Sequence, residues 1–236
     1  QLRLRVLTRF EPASLEAVHG VSTTSWVAPG AFTELMCSWA ADTPGDSHVE
    51  VEAQVRIGAE LSQWLSLGRW AAGDEHLCRT SVPGQIDVLA SVDVDVLRAA
   101  GRPLEAYRIR VVHSGAARLQ ALAVFSGSAR PSAPSTVSEP LGRAIDLDVP
   151  AFAQMSHRDH FPEYDGGGAS WCSTASLAMV LAYWGAGPSA ADLAWVGEGH
   201  DDPQVDHAAR HTYDAAYGGC GNWSFGAAYA AGFGLD

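Results

Sequence analysis

A segment with almost no large apolar side chains divides this chain and limits how it can fold. Residues 126–140 contain three prolines among serine, alanine and glycine, and Val137 is their one large apolar residue. A segment of this composition cannot form a core and is typical of an extended linker. The sequence therefore predicts two domains, residues 1–125 and 141–236, joined by a linker at 126–140.

The first of these domains shows the alternation that is typical of strands. Apolar and polar residues alternate at 2–7, 49–57 and 107–111. This period of two places one face of each strand on a core and the other in water. Turn-forming pairs such as Pro29-Gly30 and Pro83-Gly84 separate the runs. We predict an antiparallel β-sandwich for residues 1–125.

After the linker the periodicity becomes helical. Leu177, Val180, Leu181 and Trp184 recur at the spacing of one helix face, which predicts a helix over 173–184. Further helices are predicted at 205–217 and 225–233. The fold class is therefore α+β. We also expect the second domain to continue beyond Asp236, because the sequence stops within an apolar stretch.

Composition excludes some classes of partner. Acidic residues outnumber basic ones by 27 to 15, which gives a net charge of −12. A nucleic-acid-binding protein needs a basic surface, so we expect no nucleic-acid partner. No apolar run approaches the roughly 20 residues of a membrane-spanning helix, so we expect no membrane insertion.

The four cysteines suggest the compartment. Cys37, Cys78, Cys172 and Cys220 fit two disulfides, or one disulfide and one free thiol. We favour a disulfide between Cys37 and Cys78 and a free Cys172; pairing of Cys172 with Cys220 is the alternative. The favoured arrangement suits an oxidising compartment, and we expect a secreted protein.

Cys172 is the candidate nucleophile. It stands at the first turn of an apolar helix, where unpaired backbone N–H groups and the helix dipole favour thiolate over thiol. The side-chain amide of Gln154, upstream at the end of 149–154, can donate to a developing oxyanion together with the backbone N–H of Cys172. The glycine-rich stretch 166–168 lets a substrate backbone approach closely.

These residues carry a family resemblance. The motif Val-Pro-Ala-Phe-Ala-Gln at 149–154, the glycines and Trp-Cys-Ser-Thr-Ala-Ser-Leu at 171–177 resemble papain-clan cysteine peptidases related to the bacteriocin-leader-processing enzymes of peptidase family C39. The segments 205–214 and 221–223 are similar to a stretch in secreted actinobacterial members that also carry an N-terminal β module.

The resemblance implies a papain-like fold and hydrolysis of peptide bonds through a thioester. By matching positions, Cys172 is the nucleophile and Gln154 the oxyanion donor. The family's catalytic histidine and its Asp or Asn partner normally follow later, in a strand that begins with Gly-His, and the present sequence ends before such a segment. Ser173 also stands where better-known members have glycine. No cofactor is implied.

Two groups of histidines have open roles. His207 and His211 are spaced i, i+4 on one predicted helix, which suits a metal, a base for Cys172 or a structural hydrogen bond. We include His207 among the catalytic candidates and predict no metal. His157 and His160 lie between Gln154 and Cys172, where a solvated loop is favoured over a cleft or metal role.

The leading function is a secreted cysteine peptidase that acts on a peptide or protein substrate. The alternatives are a non-catalytic surface or carbohydrate-binding protein with a degenerate peptidase-like domain, and a papain-clan acyltransferase. Trp26, Trp39, Trp64 and Trp70 in the β module suit a core, but they could also form a shelf for a carbohydrate or cell-surface ligand.

Overall fold

A computed structural model describes residues 2–129 and 139–235 of the chain. The first range forms two antiparallel sheets, and the second forms four α-helices linked by loops and short 3₁₀ turns. The predicted α+β fold class is confirmed. None of the helices in these ranges is long and apolar enough to cross a membrane.

The first sheet has five strands in the order β1-β11-β4-β9-β8. Neighbouring strands within this sheet all run antiparallel. The strands are β1 Leu2–Phe10, β4 Glu34–Asp42, β8 Ala90–Asp93, β9 Val96–Ala99 and β11 Arg118–Ala129.

The second sheet has the order β2-β3-β10-β5-β6, and β7 also pairs with β5. All its pairs are antiparallel as well. Its strands are β2 Glu16–Val18, β3 Val21–Thr23, β5 His48–Ile57, β6 Glu60–Leu61, β7 Leu65–Trp70 and β10 Ala106–Ser114.

Alternation along β5 gives the second sheet its two faces. Val49, Val51 and Ala53 are fully buried, and Glu52, which lies between two of them, forms an ion pair with Arg110 of β10. Buried residues of both sheets belong to one hydrophobic cluster. Two sheets that share a core in this way are what the period-two pattern predicts.

The strand β11 changes the start of the predicted linker. It continues to Ala129, and its residue Gly127 pairs with Leu4 on one side and Glu34 on the other. Residues 126–129 are therefore strand: all four pair with β1, and 126–127 also pair with β4, so backbone hydrogen bonds compensate for their small side chains. Residues 130–138 of the predicted linker lie outside the described ranges.

The helices of the second range are α1 Cys172–Tyr183, α2 Ala190–Leu193, α3 Pro203–Thr212 and α4 Trp223–Ala231. The predicted helix 205–217 is too long at its C-terminal end. Asp214 ends it: the carboxylate accepts hydrogen bonds from the backbone N–H groups of Ala216 and Tyr217, so the chain turns.

The aromatic ring of Phe225, on α4, packs into the first range of the chain. It lies 6.2 Å from the ring of Trp39 and 5.6 Å from the ring of Trp70, measured between centroids. Gly68 of β7 makes room for it, since a Cβ at this position would lie 2.9 Å from Phe225. Phe225 is fully buried and belongs to the same cluster as the sheet residues. The two ranges therefore share one core.

Polar contacts reinforce the same junction. The buried guanidinium of Arg79 donates to the carbonyls of Ala71, Gly73 and Arg210, and Arg210 in turn donates two hydrogen bonds to the carboxylate of Asp74. Charge-assisted bonds of this kind are stronger than neutral ones. The helix α3, which carries Arg210, is thus fixed to the loop after β7.

The α4 terminus is held in the same manner. Asp95, in the turn between β8 and β9, accepts hydrogen bonds from the backbone N–H groups of Trp223 and Ser224. The side chain of Asn222 caps the helix by accepting from the N–H of Phe225. A carboxylate at a helix N-terminus also interacts favourably with the dipole, so this contact orients the helix that carries Phe225.

The four tryptophans of the first range fall into two pairs. Trp39 and Trp70 are buried in the core, as the core interpretation predicts. Trp26 and Trp64 are only half-buried, and the guanidinium of Arg108 lies 4.8 Å and 5.0 Å from their ring centres. Arg56 also covers Trp26, and Arg110 covers Trp64. Their faces are thus occupied by cation–π contacts.

The disulfide predicted between Cys37 and Cys78 is not formed, because both residues are free thiols. Cys37 is buried in β4, where its side chain belongs to the core cluster, whereas Cys78 is exposed in the loop after β7. One thiol faces the interior and the other faces solvent, so the strand prediction alone could not establish a pairing.

We expect Phe225→Ala to lower the free energy of unfolding by about 3–5 kcal/mol, because it removes a buried aromatic ring and leaves a cavity between Trp39 and Trp70. Denaturant unfolding measures this loss. Trp223→Ala is the matched control: its side chain on the same helix is 61% exposed, so it should cost about 0.5 kcal/mol or less. Equal losses for the two variants would contradict the junction described here.

Candidate functional site

Cys172 occupies the predicted position at the N-terminus of α1, and it is exposed. A 3₁₀ turn, Gly168–Trp171, precedes it. Trp171 is fully buried, and its indole N–H donates to the carbonyl of Tyr164. The buried tryptophan anchors the turn, so the next residue emerges at the surface with the free N–H groups of the helix around it.

The glycine loop before this turn has a steric requirement. Gly167 has a φ of +66°, and a Cβ at this position would lie only 1.7 Å from the carbonyl oxygen of His157. Glycine alone fits such a close approach. The loop that leads to Cys172 therefore packs directly on the segment that carries His157.

Gln154 is connected to the same loop. It begins a 3₁₀ turn, Gln154–His157, and its side-chain amide donates a 3.0 Å hydrogen bond to the carbonyl of Gly168. The structure thus brings Gln154 to the turn that immediately precedes Cys172, and its role as an oxyanion donor stays a prediction. An amide has two N–H donors, so one bond to Gly168 leaves the other to act on a ligand.

His207 is placed differently from the catalytic candidate of the sequence analysis. It is buried on α3, and its Nδ1 atom makes a 2.8 Å hydrogen bond with the hydroxyl group of Tyr229. Its ring stacks on His211 with the centroids 4.2 Å apart. Within residues 2–129 and 139–235, no hydrogen bond joins Cys172 to a histidine. None of these contacts reaches Cys172, so they give no support to His207 as its base.

His207 and His211 line a cavity of about 390 Å³ between α3 and the loops of the first range, and Cys172 is not among its lining residues. Burial, followed by the charge of His211, lowers the pKa of His207 to about 4. Burial also lowers the pKa of His211, whose Nδ1 atom faces the carbonyl of Ala72. Both imidazoles are therefore neutral near neutral pH.

The segment between Gln154 and Cys172 is not the solvated loop that the sequence favoured. His157 is fully buried, and His160 is partly buried. Both lie against the carboxylate of Asp206, on α3. Sequence reasoning missed Asp206 as the partner of His157 and His160, and His200 as a partner of His160. The His-x-x-His spacing at 157–160 was a signal that this loop has a defined conformation.

The alternative pairing of Cys172 with Cys220 is excluded by their positions. Cys220 is a buried free thiol, and its sulfur lies 3.5 Å from the carbonyl oxygens of Tyr164 and Ala209. Burial raises the pKa of Cys220 to about 12. Cys220 thus behaves as a small core residue, and Cys172 remains a free, exposed thiol.

Fold and site together define a class of protein. Two antiparallel sheets are joined through one core to a helical part, and this part presents a cysteine at a helix N-terminus with a glutamine amide tied to the loop before it. An exposed cysteine at a helix N-terminus with an amide donor nearby is an arrangement in which cysteine nucleophiles are found.

Comparison with known proteins identifies the family. A model of the Peptidase C39 N-terminal domain matches residues 13–121, and a model of the Peptidase_C39 like family matches residues 146–236. Two separate parts of the chain are therefore similar to C39-related peptidases, and the resemblance seen in its sequence is confirmed. Neither the curated proteins nor the solved structures include a significant match.

Thiol labelling tests the placement of the cysteines. We expect iodoacetamide near neutral pH to modify Cys172 faster than Cys78, although both are exposed, because only Cys172 lies at a helix N-terminus. Cys37 and Cys220 should react only after denaturation, since both are buried. Mass spectrometry of digested protein gives the four rates. Slower reaction of Cys172 than of Cys78 would argue against an activated thiol.

The depressed pKa of His207 predicts a pH dependence of stability. Between the ordinary pKa of 6.5 and about 4, the unfolded chain binds a proton at this position and the folded chain does not. The free energy of unfolding should therefore fall as the pH drops through this window and stay level above it. His207→Gln should reduce the slope to the part that His211 contributes, whereas the same change at the exposed His76 should leave the slope unchanged. An unchanged slope in His207→Gln would show that His207 titrates normally.

Proposed function

We propose that the protein is a secreted cysteine peptidase that hydrolyses peptide bonds through a thioester at Cys172. The observation that carries the proposal is the exposed Cys172 thiol at the start of α1, with Gln154 bonded to the turn in front of it. The match of residues 146–236 to the Peptidase_C39 like family supports a peptidase-related function. Secretion rests on the resemblance to secreted relatives.

The chemistry begins at the sulfur. The Cys172 thiolate attacks the carbonyl carbon of the substrate, and the C=O electron pair moves to the oxygen. The backbone N–H of Cys172 and the second N–H of the Gln154 amide donate hydrogen bonds to this oxyanion. When the carbonyl re-forms, the C–N bond breaks, the amine leaves with a proton from a general acid, and a thioester remains. Water then hydrolyses the thioester and releases the acid product and the thiol.

The general acid is not supplied by His207 in this arrangement. Its ring is bonded to Tyr229, and its pKa of about 4 leaves it unprotonated near neutral pH. A leaving amine needs a positioned imidazolium or an equivalent acid. Hydrolysis of amides therefore requires an acid that approaches Cys172 from its exposed side, whereas acylation by a substrate with a better leaving group does not.

This requirement favours one second candidate, a binding protein whose peptidase-like domain does not turn over a substrate. Its ligand would be a carbohydrate or a cell-surface molecule on the β module. Trp26 and Trp64 are poor platforms for a sugar, however, because Arg56, Arg108 and Arg110 cover their rings. The burial of Trp39 and Trp70 against Phe225 supports a scaffold role for the module instead.

Peptide thioesters test the proposal because their thiolate leaving group needs no proton. We expect the chain to hydrolyse such a substrate, and Cys172→Ala to abolish this activity. Cys78→Ala is the matched control, since it removes the other exposed cysteine, and it should retain the activity. Gln154→Ala should lower kcat by about 100- to 1000-fold if its amide contacts the oxyanion.

Three outcomes separate the candidate functions. Hydrolysis that depends on Cys172 and not on Cys78 supports the peptidase. A peptide amide that forms only when an amine is added would identify an acyltransferase instead. Absence of any turnover, or equal turnover by Cys172→Ala and the wild type, would contradict the proposal, and the first of these would favour the binding protein.

A further inference from the structure

A cluster of imidazole and carboxylate groups lies beside the candidate site and has no role in the proposed chemistry. Three segments contribute to it: the loop at 157–160, the loop before α3 and the first turns of α3 itself. His157, His160 and Asp206 can direct one ligand atom each to a common point, with these atoms within 4.8 Å of one another. His200 adjoins them.

The distances in the cluster are those between ligands of one metal ion. Nδ1 of His157 and Nδ1 of His160 lie 3.1 Å and 3.0 Å from the two carboxylate oxygens of Asp206. Nδ1 of His200 lies 3.2 Å from Nδ1 of His160. A tetrahedral zinc ion with bonds of about 2.0–2.1 Å has ligand atoms about 3.3 Å apart. Neighbouring groups are thus as close as two ligands of one ion, and the ligand atoms of His157, His160 and Asp206 all lie within 4.8 Å, so binding would draw them slightly together.

Hydrogen bonds alone cannot satisfy all of these contacts. Nδ1 of His160 faces both Asp206 and the Nδ1 atom of His200. A ring nitrogen has either one N–H or one lone pair, so a single proton on it cannot make a good hydrogen bond to both. A cation between the three groups interacts favourably with both nitrogen lone pairs and with the carboxylate at once.

Burial raises the cost of leaving the charge of this cluster uncompensated. His157 and Asp206 are fully buried. A buried carboxylate is costly unless a positive charge or several donors compensate for it. His160, with 21% of its side chain exposed, leaves a path by which an ion could enter.

We infer that His157, His160, Asp206 and His200 bind one divalent transition-metal ion, with zinc as the best fit. Imidazole nitrogens with one carboxylate are ligands that zinc accepts in tetrahedral geometry. Four protein ligands would fill the tetrahedral shell and make the site structural. It connects the loop at 157–160 to α3, and this inference does not rest on the proposed function.

The metal would act on the candidate site through the backbone. Gly167 packs on the carbonyl of His157, and Gln154 begins the 3₁₀ turn that ends at His157 and bonds to Gly168. An ion that fixes His157 and His160 against Asp206 therefore also fixes the loop before Cys172. The ligands are positioning residues, and none of them contacts the sulfur in a hydrogen bond.

Metal titration of the whole chain, after treatment with a chelator, tests the site. We expect one Zn²⁺ per chain and a rise of Tm on binding, since a ligand of the folded state alone stabilises it. Cobalt is the spectroscopic probe. It should give the visible bands of a tetrahedral nitrogen and oxygen site without a sulfur-to-cobalt charge-transfer band, which coordination by Cys172 would add.

Matched variants locate the ion. His160→Gln and Asp206→Asn should each weaken zinc binding by more than about 100-fold, beyond the 10- to 100-fold that loss of an outer partner costs. His211→Gln should retain wild-type affinity, because it alters only the other close histidine pair. Because His160 is partly exposed and glutamine is also polar, we expect the His160→Gln variant to fold. Circular dichroism can confirm this.

Several results would overturn the inference. One is binding of less than one ion by the wild type. Others are unchanged affinity in a correctly folded His160→Gln, loss of binding in His211→Gln and a sulfur-to-cobalt band in the wild-type spectrum. Equal turnover by Cys172→Ala and the wild type would overturn the peptidase proposal and leave the metal titration unchanged, so the two proposals can fail separately.

Discussion

The insertion of Phe225 between Trp39 and Trp70 is the contact on which the rest of the structure depends. The ring fills space that Gly68 leaves open, and it joins the helical part to the core of the two sheets. Burial of one aromatic side chain contributes several kcal/mol, which is a large fraction of the net stability of a domain. Without it, α4 would keep its polar contacts with Asp95 but lose the buried ring that joins it to the core of the sheets.

From α4 the order extends to the candidate site through successive contacts. Tyr229 of α4 bonds to His207 of α3, and Arg79 fixes the end of α3 by donating to Arg210. The helix α3 packs on α1, which begins at Cys172. The β module thus serves as a scaffold for the helices that present the thiol. This explains why the two family segments occur in one chain: each covers apolar surface of the other.

The sequence contained the local structure and much of the candidate site, but not the contacts between distant segments. Alternation at 49–57 and the helix that starts at Cys172 follow from short-range periodicity, and the structure has both. The docking of Phe225 could not be predicted, because nothing local indicates which apolar residues of a helix face a sheet. The burial of His157 depends on the positive φ of Gly167, and the bond of His207 to Tyr229 joins two helices. Each of these arises from tertiary packing, which has no fixed spacing along the chain.

The central claim is that sheets and helices form one cooperative unit, and differential scanning calorimetry tests it most directly. A shared core with Phe225 at its centre predicts a single unfolding transition whose calorimetric and van 't Hoff enthalpies agree. Two separate transitions, one for each family segment, would show that the domains unfold independently. That result would contradict the account, because the position of Cys172 would then no longer depend on the β module.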